Sequence, residues 1–306
     1  MQPQVIPQTL LPPQSKFNDI KENLMTAIAV TTRYETIKVK PVTPLIGAEI
    51  DGIDLTKPLE PQQVAEVRQA LLDHLVIFFR DQPLTLEQHK RFGRYFGELH
   101  VHPNTTGPEG HPEILPIHAD HNTVRIAGDR WHSDVSCDAE PPLGSILHLQ
   151  VLPEHGGDTL FSNTYAAYEA LSPGLQTYLQ GLTATHDGEQ VYRSRNRGKG
   201  IDDRDRVYPK SSHPIVRTHP ESGRKGLFVN SNFTTHIDNV SREESAAILD
   251  FLYRHLAKPD FQVRFRWQPD SIAFWDNRSA QHLAVWDYYP QVRSGYRVTV
   301  KGDKPF

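Results

Sequence analysis

The feature that most limits the fold of this chain is a succession of short runs separated by turn residues. "SILHLQVL", "DTLFSN", "HPIVRTH", "GLFVN", "FQVRFRW", "SIAFWDN" and "YRVTVKG" are each a few residues long. They are rich in the β-branched and aromatic side chains that suit a pleated, half-buried surface. Many short strands with only a few helices imply a double-sheet core flanked by helices.

Two further strands are expected upstream, at "AEIDGIDL" and at the buried run "VIFFRDQ". The helices are marked by period and caps. "EPQQVAEVRQALLDHL" carries Val64, Val67, Ala70, Leu71 and Leu75 near helical spacing. Thr85 with Gln88, and Ser241 with Glu244, have the capping-box spacing that opens a helix. Residues 1–34, rich in proline and glutamine at their start, are expected to be a flexible extension. Residues 35–306 then form one domain. The segment "YRSRNRGKGIDDRDRVYPK" interleaves basic and acidic residues, which predicts a mobile, solvated loop of the kind that often serves as a lid in a compact enzyme.

Composition removes several function classes. The chain has 306 residues, 37% of them hydrophobic and 23% charged, as in a globular protein. A formal charge of −4 argues against a nucleic-acid partner. No apolar run approaches the roughly 18 residues of a membrane helix. Cys137 is the sole cysteine, so no intrachain disulfide can form. The N-terminus lacks the basic and apolar regions of a signal peptide, and a cytoplasmic protein is expected.

The chemistry centres on "WHSDVSC". If this is a strand, His132 and Asp134 share a face, while Val135 and Cys137 point away and Cys137 is a buried thiol. A third metal ligand must come from elsewhere, and His282 in "WDNRSAQHLAVWDYYP" is the candidate. Two imidazoles and one carboxylate on one face of a metal leave positions open for substrate and dioxygen, as in non-haem Fe(II) oxygenases. Arg293 and Arg297 follow in "VRSGYRVTV", with Gly295 expected to leave space between their guanidinium groups. A guanidinium fork suits carboxylates and related oxyanions, so two anionic ligands are implied. The same ligand set could instead hold zinc and activate a water for hydrolysis, or the fold could bind small anions without catalysis.

Taken together, "WHSDVSCDAEPP", "LPEHGGDTLFSNTYAAYEALSP", "HPIVRTHPESGRKGLFVNSNFTTHI", "FRWQPDSIAFWDNRSAQHLAVWDYYPQ" and a terminal "GDKPF" closely resemble the taurine dioxygenase family. The resemblance runs from about residue 35 to the end. It implies a mainly β fold with flanking helices around a double-stranded β-helix (jelly-roll) core. It also implies Fe(II), with 2-oxoglutarate and dioxygen as co-substrates. Within it, His132, Asp134 and His282 match the iron ligands. Thr159 and Arg293 match the residues that hold 2-oxoglutarate. His102, Phe233 and Arg297 match substrate contacts. The implied reaction hydroxylates the carbon next to a sulfonate, of taurine or another alkanesulfonate, releasing sulfite and an aldehyde with succinate and CO2. The expected partner is a small anionic substrate, with no nucleic acid and no membrane, in a homo-oligomer.

The chain departs from the family's taurine-specific pattern at Thr105, Gly128, Val191 and Tyr192, with Tyr192 still expected to line the substrate pocket. The anion end is retained and the amine end altered. A larger or more apolar sulfonate, or an alkyl sulfate ester, is the alternative, with an aryloxyalkanoate behind it. His148, His155 and His186 are expected to be structural, and Trp131 and Trp275 to be core.

Overall fold

The structure is a computed structural model that describes residues 33–102, 107–126, 128–198 and 200–306. In chain order, β1 (Lys38–Pro41) and β2 (Ala48–Asp51) lead into α1 (Pro61–His74), β3 (Val76–Phe79) and α2 (Leu86–Arg94). Next come β4 (Ile114–Ala119), β5 (Gly144–Val151), β6 (Thr159–Asn163), α3 (Thr164–Glu169), α4 (Pro173–Leu179) and β7 (Thr183–Asp187). The chain continues through α5 (Glu189–Gly198), β8 (Lys210–Pro214), β9 (Val216–Thr218), β10 (Lys225–Leu227) and β11 (Thr234–Ile237). It ends with α6 (Arg242–Leu256), β12 (Gln262–Phe265), β13 (Ser271–Asp276), β14 (Ala280–Ala284) and β15 (Arg293–Val300).

The helix ends follow their sequence signals. α1 starts on Pro61 behind a reciprocal Glu60–Gln63 capping box and stops at Leu75, whose φ of 65° is left-handed. In α2 the Thr85 hydroxyl accepts from the Gln88 amide while the Gln88 side chain caps Thr85, and Ser241 with Glu244 repeats this at α6. Each cap of this kind contributes about 1 kcal/mol.

A seven-stranded sheet runs β1-β2-β3-β13-β5-β15-β4 and is antiparallel except for β2 with β3. A three-stranded sheet, β12-β6-β14, packs on one of its faces. Between them lie Phe78, Leu149, Ala273 and Trp275 from the large sheet and Phe161, Val263 and Phe265 from the small one. Phe78 stacks on Phe265 with ring centroids 3.9 Å apart. The other face of β3 carries Ile77 and Phe79, which pack with Phe92 of α2 and Val67 and Leu71 of α1. Because β3 is covered on both faces, "VIFF" is continuously apolar rather than alternating. Each such phenylalanine contributes about 2–3 kcal/mol by burial, and Phe78→Ala should cost about 3–5 kcal/mol. The smaller sheets β11-β7-β8 and β10-β9 pack with α6 in a side cluster. No sheet closes into a barrel among the described residues. No helix there is long and apolar enough to cross a membrane.

Several expectations are corrected. "WHSDVSC" is not a strand: only His132 makes a bridge, and a turn follows from Asp134 to Cys137. Val135 has φ 49°, so alternation cannot turn Cys137 away from the site. The expected mobile loop begins as helix α5, with Tyr192 buried in it and Tyr208 buried after it. These rings need a tertiary partner, which a local charge pattern does not reveal. Gly295 has a further role beyond the spacing expected of it. β15 has a bulge between Ser294 and Gly295, and a Cβ on Gly295 would lie 2.1 Å from the His148 carbonyl oxygen. Glycine is needed there because β5 passes too close. In "GLFVN" only Gly226 and Leu227 are strand, within β10. The expected extension runs too far: Arg33 and Tyr34 both reach the Asp73 carboxylate on α1, at 3.2 and 2.9 Å. Residues 1–32 lie outside the described residues.

Candidate metal centre and its anion pockets

His132, Asp134 and His282 come together in a buried group, with one donor atom from each lying within 4.8 Å of the others. The elements explain the meeting. His132 and His282 pair backbone to backbone, N–H to carbonyl in both directions at 3.1 and 2.9 Å. The β14–β6 register sets His282 opposite Phe161, so its ring faces the space between the two sheets. Trp275, expected as core, is core, and it packs against the His282 ring at 4.5 Å. His132 Nδ1 lies 2.8 Å from the Arg130 carbonyl oxygen. Donation to that carbonyl leaves the Nε2 lone pair facing the site.

Burial depresses both imidazole pKa values, most strongly at His282, where His132 adds to the effect. Both rings are therefore neutral at pH 7, the form that binds metal. Burial works to raise the Asp134 carboxyl, but the Arg297 guanidinium and the Ser145 hydroxyl outweigh it and hold it well below the usual carboxylate range. Ser145 Oγ donates to Asp134 Oδ2 at 2.8 Å, and Arg297 Nη1 donates to Oδ1 at 2.7 Å. Two neutral imidazoles and one fixed carboxylate, with no thiolate in reach, fit a divalent cation such as Fe(II).

Arg293 is buried at 5% exposure and reaches Thr159, which pairs with Ala284, two residues past His282 on β14. Its Nε donates to the Gly157 carbonyl at 3.0 Å and its Nη2 to Thr159 Oγ1 at 3.3 Å. No carboxylate lies within 4 Å of it among the described residues. Trp267 Nε1 also donates to Thr159 Oγ1, at 3.0 Å. Both lone pairs of that hydroxyl are then engaged, so its proton is free for an outside acceptor. Arg297 is different, since Asp134 partly neutralises it, yet its buried Nε has no partner among the described residues.

The remaining predicted residues lie around an aromatic wall. Tyr192, Phe233, Tyr208, Val135 and Cys137 form one buried cluster. The rings of Tyr192 and Phe233 are 6.2 Å apart, and His102 lies 6.2 Å from Tyr192, edge to face. Cys137 therefore packs with the predicted substrate residues instead of facing away, and burial pushes its thiol pKa up to about 12. Gly128 has φ 85°, and a Cβ on it would meet His132 Cε1 at 3.1 Å, so a side chain there would press on the ligand. Thr105 lies outside the described residues. His186 and His148 are structural, bonding Ser136 and Asp270 respectively.

Sequence reasoning missed Ser145, Trp267 and Asn277. Each acts through a contact distant in sequence, and none belongs to a residue type that announces a metal site.

A family model described as "Taurine catabolism dioxygenase TauD, TfdA family" matches residues 38–299. The chain is 34% identical over 288 residues to an alpha-ketoglutarate-dependent sulfonate dioxygenase of Saccharomyces cerevisiae, covering 88% of this chain and 68% of that protein. It is 35% identical over 290 residues to an alpha-ketoglutarate-dependent sulfate ester dioxygenase of Pseudomonas putida, covering 91% and 94%. A solved taurine dioxygenase from Burkholderia xenovorans superposes with a TM-score of 0.77 at 39% identity, covering 89% of this chain and 93% of that one. The chain belongs to the TauD/TfdA dioxygenase family, enzymes dependent on 2-oxoglutarate (alpha-ketoglutarate), dioxygen and Fe(II), and its His–Asp–His group fits that metal.

Proposed function

We propose that this chain hydroxylates the carbon next to a sulfonate, using 2-oxoglutarate and dioxygen and forming succinate and CO2. The hydroxylated product then separates into sulfite and an aldehyde. The observation that carries this reading is a pair of arginines on β15: Arg297, partly buried and bonded to the ligand Asp134, and Arg293, buried with no carboxylate within 4 Å among the described residues. Fe(II), when bound by His132, Asp134 and His282, supplies the dioxygen chemistry. Arg293 and the free Thr159 proton hold the distal carboxylate of 2-oxoglutarate, and burial excludes water from that pair. Arg297 and His102 hold the substrate oxyanion. Tyr192 and Phe233 line its carbon chain, and no protein general base is required. We also assign the two facing sheets to a double-stranded β-helix core within a single domain.

An alkyl sulfate ester is the second reading, releasing sulfate and an aldehyde. It is favoured by the aromatic Tyr192–Tyr208–Phe233 cluster, which offers apolar surface on which a longer alkyl chain can pack. An aryloxyalkanoate stands behind it. A panel of taurine, longer alkanesulfonates, alkyl sulfates and an aryloxyacetate, assayed for succinate together with sulfite or sulfate, separates these. The proposal requires sulfite in step with succinate from at least one sulfonate. Sulfate alone would move the assignment to the ester, and succinate without any sulfur release would overturn both.

A further inference from the structure

Asn277 follows β13 and is fully buried. Its side-chain amide faces the backbone of Asp134 like a short piece of strand. Oδ1 accepts the Asp134 N–H at 2.6 Å, and Nδ2 donates to the Asp134 carbonyl at 2.9 Å and to the Pro142 carbonyl at 3.1 Å. Asn277 is itself held firmly. Its N–H donates to the Leu143 carbonyl at 2.8 Å, and its neighbour Asp276 is bound by Arg278 and His219 at 2.7 and 3.0 Å.

The turn after Asp134 needs such a hold. Val135 has φ 49°, a conformation that a β-branched residue rarely adopts and that is worth roughly 1–3 kcal/mol of strain. Left alone, the turn would relax toward ordinary backbone and swing the preceding carboxylate. The Asn277 clamp opposes this at Asp134, the one residue of the turn whose side chain belongs to the ligand group. The clamp also ties the His132–Asp134 segment to the β13–β14 connection that leads to His282, so both halves of the ligand set share one frame.

We propose that Asn277 is a positioning residue for the metal: its amide, bonded to both backbone groups of Asp134, fixes the carboxylate in the ligand set against the strained turn at Val135. This rests on the reading that His132, Asp134 and His282 hold the metal.

The test uses the full chain and Co(II) as the probe, titrated by its visible absorption. Asn277→Asp keeps an acceptor for the Asp134 N–H and loses the donor; Asn277→Leu loses both. The loss of an outer contact to a ligand should weaken Co(II) binding about 10–100-fold in Asn277→Leu, less in Asn277→Asp. At saturation the absorption bands should shift in both variants, because the carboxylate meets the ion at a changed angle. A purely structural role would lower thermal stability and leave the dissociation constant and band positions of the folded protein as in the parent; that result overturns the proposal. Should Asn277→Leu fail to fold, Asn277→Asp alone decides by the same criteria. Asp134→Ala is the control. If it binds Co(II) as the parent does, the metal-site reading itself fails. If it loses Co(II) while the Asn277 variants do not, only the role of Asn277 is refuted.

Discussion

Arg293→Met should separate stability from ligand binding. The Arg293 guanidinium is buried with no carboxylate within 4 Å among the described residues, and burial depresses its pKa. Asp158 acts on it only from beyond ion-pair distance and is itself bonded to Arg264, so burial of the cation is poorly compensated in the free protein. Its two hydrogen bonds, to the Gly157 carbonyl and Thr159 Oγ1, contribute about 1 kcal/mol each. Methionine fills similar volume and removes both the charge penalty and those bonds. The two effects oppose, so stability without ligand should stay within about 1.5 kcal/mol, a Tm change of about 4 °C or less for a chain of this size. Binding of 2-oxoglutarate should respond far more. Loss of a forked, charge-assisted contact in a dry pocket should cost about 3–4 kcal/mol, roughly 140–700-fold in affinity at 1.4 kcal/mol per tenfold. Isothermal titration of 2-oxoglutarate into the Mn(II)-loaded protein without oxygen measures the affinity, and calorimetric melting of the metal-free protein measures the stability. Affinity within threefold of the parent would refute the anchor. A Tm loss above about 8 °C would show that Arg293 is mainly a structural residue.

Ser145→Ala removes the donor to Asp134 Oδ2 and should weaken Co(II) binding about tenfold with little change in fold, read by titration and circular dichroism. Gly128→Ala forces a side chain into φ 85° and against His132, so a stability loss of about 1–2 kcal/mol with weaker metal binding is expected from denaturant titration and Co(II) absorption. Acid should destabilise the metal-free protein. Burial, aided by His148 and by His213 respectively, lowers the pKa of His89 and of His186 to about 3. Between about 6.5 and 3 the unfolded chain binds these protons and the native one does not, so stability falls as pH falls. The loss at pH 5.5 is about 1.4 kcal/mol per histidine relative to a pH well above 6.5; a Tm independent of pH from 7.5 to 5.5 would contradict it.

The parts of the fold that local chemistry decides were legible. Thr85 and Ser241 announce their helices because a cap is a three-residue event, and "VIFF" announces a doubly covered strand. The ligand group was also legible, though the reason offered for it fails. His132 and Asp134 meet through a bridge to His282 and a clamp from Asn277, not through strand alternation. A valine gives no sign of the left-handed turn it occupies, since tertiary contacts impose it. The bulge at Gly295 and the burial of Tyr192 were hidden for the same cause: each depends on a partner distant in sequence.

The most direct test of the account is the stoichiometry of products with metal and dioxygen varied. The Fe(II)-loaded protein, given 2-oxoglutarate and its best sulfonate in air, should form succinate and sulfite one for one, and form neither without dioxygen. Sulfur release from the zinc-loaded protein without dioxygen or 2-oxoglutarate would contradict the account and make the His132–Asp134–His282 group a hydrolytic centre.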